Sequence, residues 1–319
     1  MWQRYRRELD DAWTRVRTVS SHLLDTPYGH IEYVTAGAGR PVLMSHGILG
    51  SHVEGMGMVT TFVGDDVLTI APSRFGYFRS DLPPDANPGL QADAYAVLLD
   101  HLGITAGVVV VGYSAGGTSA IEFALRHPER TSALILMSSA LPPSTSTPPT
   151  PGDPPRVVRP FMLATTRTNL PMWLFARLTP SALHGVMGIP RAYTPTAEEA
   201  LTIDAVVDSI FPVPPRRQGF VFDAFQGNPH VRTIRIEDLA VPTLLIHAAD
   251  DGLAPYANAL AAAERIPDAQ LVTIPRGGHL FLGQEARVRA AVAAFLRSLT
   301  PPAAAGRALT VPPFAGVAP

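Results

Sequence analysis

Gly107-Val108-Val109-Val110-Val111-Gly112-Tyr113-Ser114-Ala115-Gly116-Gly117 is the stretch that decides the fold. Gly107–Val111 is an unbroken apolar run with no polar side chain to face water. Such a run predicts a strand buried on both faces, and strands of that kind belong to parallel sheets covered by helices. Ala115–His127 follows at once with a helical pattern, so Ser114 sits in a sharp strand-to-helix turn. The chain crowds itself two residues to either side of such a turn, which is why glycine is needed at 112 and 116. The turn lifts the Ser114 hydroxyl above the sheet, at the positive end of the next helix, where a base can reach it.

Outward from this centre, short apolar strands alternate with helices. Strands are predicted at His30–Thr35, Pro41–Ser45, Val67–Ala71, Ser132–Ser138, Pro242–His247 and Gln270–Ile274. Helices are predicted at Gln91–Leu102, Pro255–Arg265 and Gln284–Leu299. The pattern is α/β, with a mostly parallel central sheet and helices on both faces. The alternation breaks between Ala140 and Ala240. Leu141–Arg156 is dense in Pro, Ser and Thr and reads as a linker, and helical runs follow at Phe161–Thr166, Pro171–Gly188, Ala197–Ile210 and Gln218–Phe225. Residues 141–240 are therefore expected to form an inserted helical cap between two parts of the core, 28–140 and 241–299.

At the start of the chain, Trp2, Tyr5, Leu9, Ala12, Trp13, Val16 and Leu23 recur at helical spacing opposite a charged face. Residues 1–27 are expected to form an amphipathic helix packed on the body or the cap rather than on a membrane surface. Residues 300–319 are rich in Pro and Ala and read as a loosely ordered tail.

Three further segments lie past strand ends and carry residues suited to chemistry beside Ser114. Ser45-His46-Gly47-Ile48-Leu49-Gly50 offers a loop whose amides can stabilise an oxyanion, with the N–H groups of Ile48 and Ala115 as the donors. His46 is expected to brace that loop by hydrogen bonding. His247-Ala248-Ala249-Asp250-Asp251 holds two carboxylates that compete to orient a histidine, the unused one being expected to cap the following helix. Pro275-Arg276-Gly277-Gly278-His279 places an imidazole on a Gly-Gly loop after the last strand, where it can act as base.

Composition narrows the chemistry. The 319-residue chain is 46% hydrophobic and 16% charged, with net charge −2 and mean hydropathy +0.15, so it can bury a large core. It has no cysteine, which excludes disulfides, thiol catalysis and zinc–thiolate sites. All 25 basic residues are arginine, which excludes lysine Schiff bases and the phosphate-binding lysine of P-loops. No basic block suits nucleic acid. The N-terminus lacks a secretory signature and no apolar run reaches about 18 residues, so no membrane span and a cytoplasmic location are expected.

The elbow around Ser114, the His46-Gly47 pair, the inserted helical segment and the order Ser114…Asp251…His279 resemble the α/β-hydrolase superfamily. The branch resembled is the cap-bearing one that includes carboxylesterases and proline iminopeptidases. The resemblance covers about residues 28–299. It implies an α/β-hydrolase fold, a Ser114–His279–Asp251 triad, no cofactor, and a pocket between the strand ends and the cap. The family's acid lies four residues before a proline, which favours Asp251, with Pro255 following, over Asp250. Epoxide hydrolases and haloalkane dehalogenases of this branch carry Asp at the elbow, where this chain has Ser114.

The expected activity is cleavage of a carboxylic ester of a small or medium apolar substrate through an acyl-enzyme. Amide, thioester or carbon–carbon bond hydrolysis, lyase chemistry, and a non-catalytic receptor are the alternatives. Met162, Leu163, Met172, Trp173, Phe175 and Met187 offer either an apolar pocket lining or the cap's own core. Arg74, Arg79 and Asp81 offer either an acidic-group site or structural ion pairs, the latter preferred. Glu198 and Glu199 would suit a substrate amine, but a solvated helix N-terminus is the preferred reading. Self-association into a homo-oligomer stays open.

Overall fold

Val108, Val110, Leu134 and Leu136 face one side of a sheet, and Val109, Val111, Ile135 and Met137 face the other, all buried. This alternation in adjacent strands builds two apolar layers and places the sheet between them. The computed structural model describes residues 1–105, 107–143, 158–190 and 192–299. The sheet has eight strands: β1 (His22–Thr26), β2 (Gly29–Ala36), β3 (Arg40–Ser45), β4 (Val67–Pro72), β5 (Val108–Tyr113), β6 (Thr131–Met137), β7 (Thr243–Ala248) and β8 (Gln270–Ile274). Their order is β1-β2-β4-β3-β5-β6-β7-β8. The β1–β2 and β2–β4 pairs are antiparallel and the rest are parallel.

Helices α3 (Pro88–His101), α4 (Gly116–Arg126) and α11 (Tyr256–Arg265) cover the first face, and α2 (His52–Met58) and α12 (Glu285–Ser298) cover the second. The chain leaves β3 for β4 on one side and returns to β5 on the other. The loops after β3 and β5 therefore splay apart at the carboxyl ends of neighbouring strands, where α/β sheets open a crevice. Ser45 pairs with Gly112 in register, which brings the His46–Gly50 loop beside Ser114.

Between β6 and β7 lie α5 (Val158–Thr165), α6 (Leu170–Leu178), α7 (Pro180–Val186), α8 (Ala197–Ser209), α9 (Arg217–Phe222) and the short α10 (Asn228–His230). The single helix expected over Pro171–Gly188 is two. Thr179 leaves helical backbone (φ −133, ψ 54) because Pro180 disfavours it there, and Pro180 then starts the next helix. The linker expected over Leu141–Arg156 lies largely outside the described residues, as does the expected tail at 300–319.

The helix expected over residues 1–27 ends at Thr18, as α1 (Trp2–Thr18). Leu23 belongs to β1, where it pairs with Glu32 of β2. Edge pairing on the sheet overrides the helical spacing that carried Leu23 into the pattern. α1 packs on the inserted helices. Ala12 joins Trp173, Leu183, Ile203, Val207 and Phe211 in one apolar cluster. Glu8 accepts from Trp173 Nε1 at 2.7 Å and pairs with Arg177 at 2.9 Å. Among the described residues no helix is long and apolar enough to cross a membrane.

Candidate active site

Ser114 adopts φ +51, a left-handed backbone that costs a residue with a side chain about 1–3 kcal/mol. The turn is held by its own bonds. Ser114 N–H donates to Met137 O at 3.1 Å, and Ser114 O accepts from the amides of Gly117 and Ala140 at 3.0 Å each. A Cβ at Gly116 would stand 2.1 Å from Ser45 O and 2.5 Å from His46 O. One at Gly112 would stand 2.7 Å from Gly117 Cα. The two glycines are thus required by the close approach of the neighbouring backbone.

Ser114 Oγ lies 2.9 Å from His279 Nε2, and His279 Nδ1 lies 2.8 Å from Asp251 Oδ2. With Nδ1–H donating to the carboxylate, Nε2 is left to accept the Ser114 proton. The histidine loop is pinned from several sides. Tyr113 O–H donates to His279 O at 2.8 Å, and Gly277 and Gly278 donate their N–H groups to Asp250 at 3.2 and 2.9 Å. Gly188, from the inserted segment, closes over the loop. A Cβ there would meet His279 Cβ at 2.6 Å, and its carbonyl accepts from Gly252 N–H at 3.1 Å.

Asp251 and Asp250 therefore divide the work. Asp251 faces the ring, and Asp250 braces the loop that carries the ring. The expectation that the unused carboxylate caps the next helix is corrected. The N-cap of α11 is Pro255, with no side-chain cap, because Asp250 is drawn instead to the two glycine amides. His247 went unassigned in the sequence. Its Nε2–H donates to Ala254 O at 2.9 Å and lies 3.2 Å from Asp251 Oδ2. Burial alone would raise the Asp251 pKa. Hydrogen bonds from His247 and His279 outweigh burial and hold it well below the usual carboxylate range. The signal for His247 was its i, i+4 spacing to Asp251 across the end of β7.

The loop after β3 turns on Leu49, which has φ +59. Gly47 O accepts from His46 Nδ1 at 2.7 Å and from Gly50 N–H at 3.1 Å. The Gly47 carbonyl and the Ile48 N–H share one trans peptide and point in opposite directions. Fixing the carbonyl therefore aims the N–H. His46 Nε2 accepts from Arg74 N–H at 3.0 Å, so the ring is the Nδ1–H tautomer. Burial, then the charge of Arg74, holds its pKa well below the ordinary histidine value and keeps it neutral. A Cβ on Gly47 would lie 3.2 Å from Ser114 Cβ, so this loop runs against the serine. Among the described residues, the N–H groups of Ile48 and Ala115 have no acceptor.

Arg74 and Arg79 lie in ion pairs. Arg74 is bidentate to Asp223 at 2.8 Å, and Arg79 binds Glu32 at 2.7 Å. Asp81 accepts from His30 Nδ1 and N–H at 2.8 Å each. Glu199 is buried rather than solvated. It closes a capping box with Thr196 and takes bonds from Tyr193 and Arg276, which leaves it unsuited to a substrate amine. Trp173 is buried in the cluster of the inserted helices, with Met172 and Met187 packed against it. Leu163 lines a cavity of about 310 Å³ with Arg159, Arg217, Phe222 and Phe225, which Ser114 does not line. Among the described residues no group of three or more His, Asp and Glu is placed to hold a metal ion.

A hydroxyl bonded to an imidazole that faces a carboxylate is chemically equipped to become a nucleophile. The chain is 30% identical over 249 residues to 2-hydroxymuconate semialdehyde hydrolase of Pseudomonas putida, covering 76% of this chain and 82% of that one. It is similar in structure to an alpha/beta hydrolase fold protein from Nakamurella multipartita, with TM-score 0.66, 27% identity, and coverage of 87% and 99%. It is also similar to a thermophilic esterase from Thermogutta terrifontis, with TM-score 0.63, 26% identity, and coverage of 88% and 98%. The family model for the alpha/beta hydrolase fold matches residues 40–286, and the chain belongs to that family.

Proposed function

We propose that this hydrolase cleaves carboxylic esters of small to medium apolar substrates through an acyl-enzyme on Ser114. The observation that carries the reading is the continuous bond chain Ser114 Oγ, His279, Asp251, anchored on a strained turn. Ser114 Oγ attacks the ester carbonyl carbon while its proton passes to His279 Nε2. The oxyanion takes the N–H groups of Ile48 and Ala115, a contribution worth about 10²–10³ in rate per donor. The alcohol leaves with the proton from His279. Water then attacks the acyl carbon, gives its proton to His279, and the acid departs as Ser114 regains its hydrogen.

Helices α5–α9 act as the cap in this reading. The end of the expected cap, 141–240, does not, because Val231, Ile234, Ile236 and Leu239 are buried in the core layer with Leu134 and Leu136. The contact of Gly188 with the His279 loop supports that role. The two fully buried arginines near the oxyanion loop, Arg74 and Arg216, are paired with Asp223 and Glu54. Neither is left to neutralise a substrate carboxylate, which favours an uncharged ester.

The likeness to a hydrolase named for a semialdehyde favours a second reading, in which the same hydroxyl attacks a ketone carbonyl and a carbon–carbon bond breaks. Side-by-side turnover of p-nitrophenyl esters of graded acyl length, an aminoacyl anilide, an acyl thioester and a vinylogous diketone separates these. Esters are expected to turn over fastest. Turnover of the diketone with inert esters would replace the first reading by the second.

A further inference from the structure

Leu49 follows Ile48, and both of its backbone polar atoms are held by side chains. Its N–H donates to the Tyr77 hydroxyl at 3.2 Å, and its carbonyl accepts from Arg216 Nη1 at 2.6 Å. Tyr77 has one hydroxyl proton and gives it to Asp223 at 2.6 Å, so its oxygen is free to accept from Leu49. Asp223 is fixed in turn by the two bonds from Arg74. Arg216 is fully buried and uses its whole fork. Nε donates to Pro212 O at 3.1 Å, Nη1 also reaches Gly50 O at 3.2 Å, and Nη2 reaches Ser209 O at 2.9 Å and Glu54 at 3.2 Å. Its guanidinium stands over the Phe78 ring at 4.7 Å.

Arg216 and Asp223 both belong to the inserted segment, whereas Leu49 and Tyr77 belong to the core. We propose that Arg216 and Asp223 are positioning residues that hold the strained Leu49 at both ends and so fix the Gly47–Gly50 turn that aims the Ile48 N–H. The inference rests on the reading of Ile48 as an oxyanion donor. It adds that the seating of the inserted helices sets how well that donor is placed. Leu49 has no glycine's freedom to sit at φ +59, so the turn relaxes when either grip is lost. The binding of substrate in its ground state does not use this donor fully, whereas the tetrahedral oxyanion does.

The test uses the full chain with p-nitrophenyl butyrate and an alkyl trifluoromethyl ketone that forms a tetrahedral adduct on serine. Arg216→Ala is expected to lower kcat by about 10–100-fold with KM within about twofold. Added guanidinium chloride at non-denaturing concentration is expected to restore part of the lost kcat, because it refills the fork-shaped vacancy. The trifluoromethyl ketone is expected to weaken in parallel with kcat. Tyr77→Phe, which removes only an oxygen, provides the same kcat and inhibitor readouts if Arg216→Ala does not fold. Folded variants with kcat and inhibitor affinity within about twofold of the parent overturn the proposal. So does a loss of kcat that leaves inhibitor affinity unchanged. A parent protein that neither turns over esters nor forms an adduct at Ser114 overturns the underlying reading as well. An active parent with indifferent variants removes the positioning role alone.

Discussion

Tyr113 donates its hydroxyl to the carbonyl oxygen of His279 at 2.8 Å, so the residue before Ser114 holds the loop that carries the facing imidazole. Serine and histidine are 165 positions apart in the chain, yet one buried bond from the serine's own strand fixes the distance between their backbones. Tyr113→Phe leaves that carbonyl buried without its partner, at a cost of about 1–3 kcal/mol. Chemical denaturation should show this loss, and kcat on a p-nitrophenyl ester should fall by about tenfold as the ring gains freedom.

The two neighbouring carboxylates should separate cleanly by mutation. Asp251→Asn removes the acceptor that sets the His279 tautomer and should lower kcat by about 10³–10⁴. Asp250→Ala frees the Gly277 and Gly278 amides and should lower kcat by only about tenfold, with a lower melting temperature. Steady-state kinetics and thermal unfolding of both variants check this. A larger kcat loss at position 250 would reverse the assignment.

Glycines predict a contrast of opposite sign. Gly116→Ala places a methyl 2.1 Å from Ser45 O and should destabilise the protein by about 3 kcal/mol or more, or prevent folding. Gly57 is an exposed residue of α2 with nothing within 4 Å of an added Cβ. Gly57→Ala should stabilise by about 0.5–1 kcal/mol. Thermal melts of the two variants side by side read out both effects.

Acid should unfold the protein in a window set partly by Glu32. Burial raises its pKa, but hydrogen bonds and charge from His52, then the bond from Arg79, bring it from 4.5 down to about 2. A depressed carboxylate pKa stabilises the fold fully above the unfolded value, and that stability is lost as pH falls through the window from 4.5 to about 2. The contribution is about 3 kcal/mol. Glu32→Gln should flatten the pH dependence of unfolding in that window, as measured by urea titration at several pH values.

Much of this was legible in the sequence because each signal was local. The run Gly107–Val111 and the elbow after it set strand, turn and helix within a few residues. The loops that carry Ile48, the Asp250–Asp251 pair and His279 were legible because they follow strand ends, whereas the choice of Asp251 over Asp250 came from the family resemblance and not from a local signal. What escaped was nonlocal. β1 depends on pairing with β2, which no periodicity reports, and its edge position lets Leu23 mimic a helix. Asp250 was expected at a helix N-terminus because capping is the common local use of such a residue. It turned instead to two amides on a loop far along the chain. The grip of Arg216 on Leu49 joins residues 167 positions apart, and nothing near either of them announces it.

Acylation of Ser114 with the help of His279 can be read straight from the mass of the intact protein. After brief reaction with a p-nitrophenyl ester or a fluorophosphonate probe, the parent protein should carry one adduct, mapped by peptide digestion to Ser114. The adduct should be absent in Ser114→Ala and should form at least about a thousandfold more slowly in His279→Ala. An adduct on another residue, or ester turnover that persists undiminished in Ser114→Ala, would rule out Ser114 as the nucleophile.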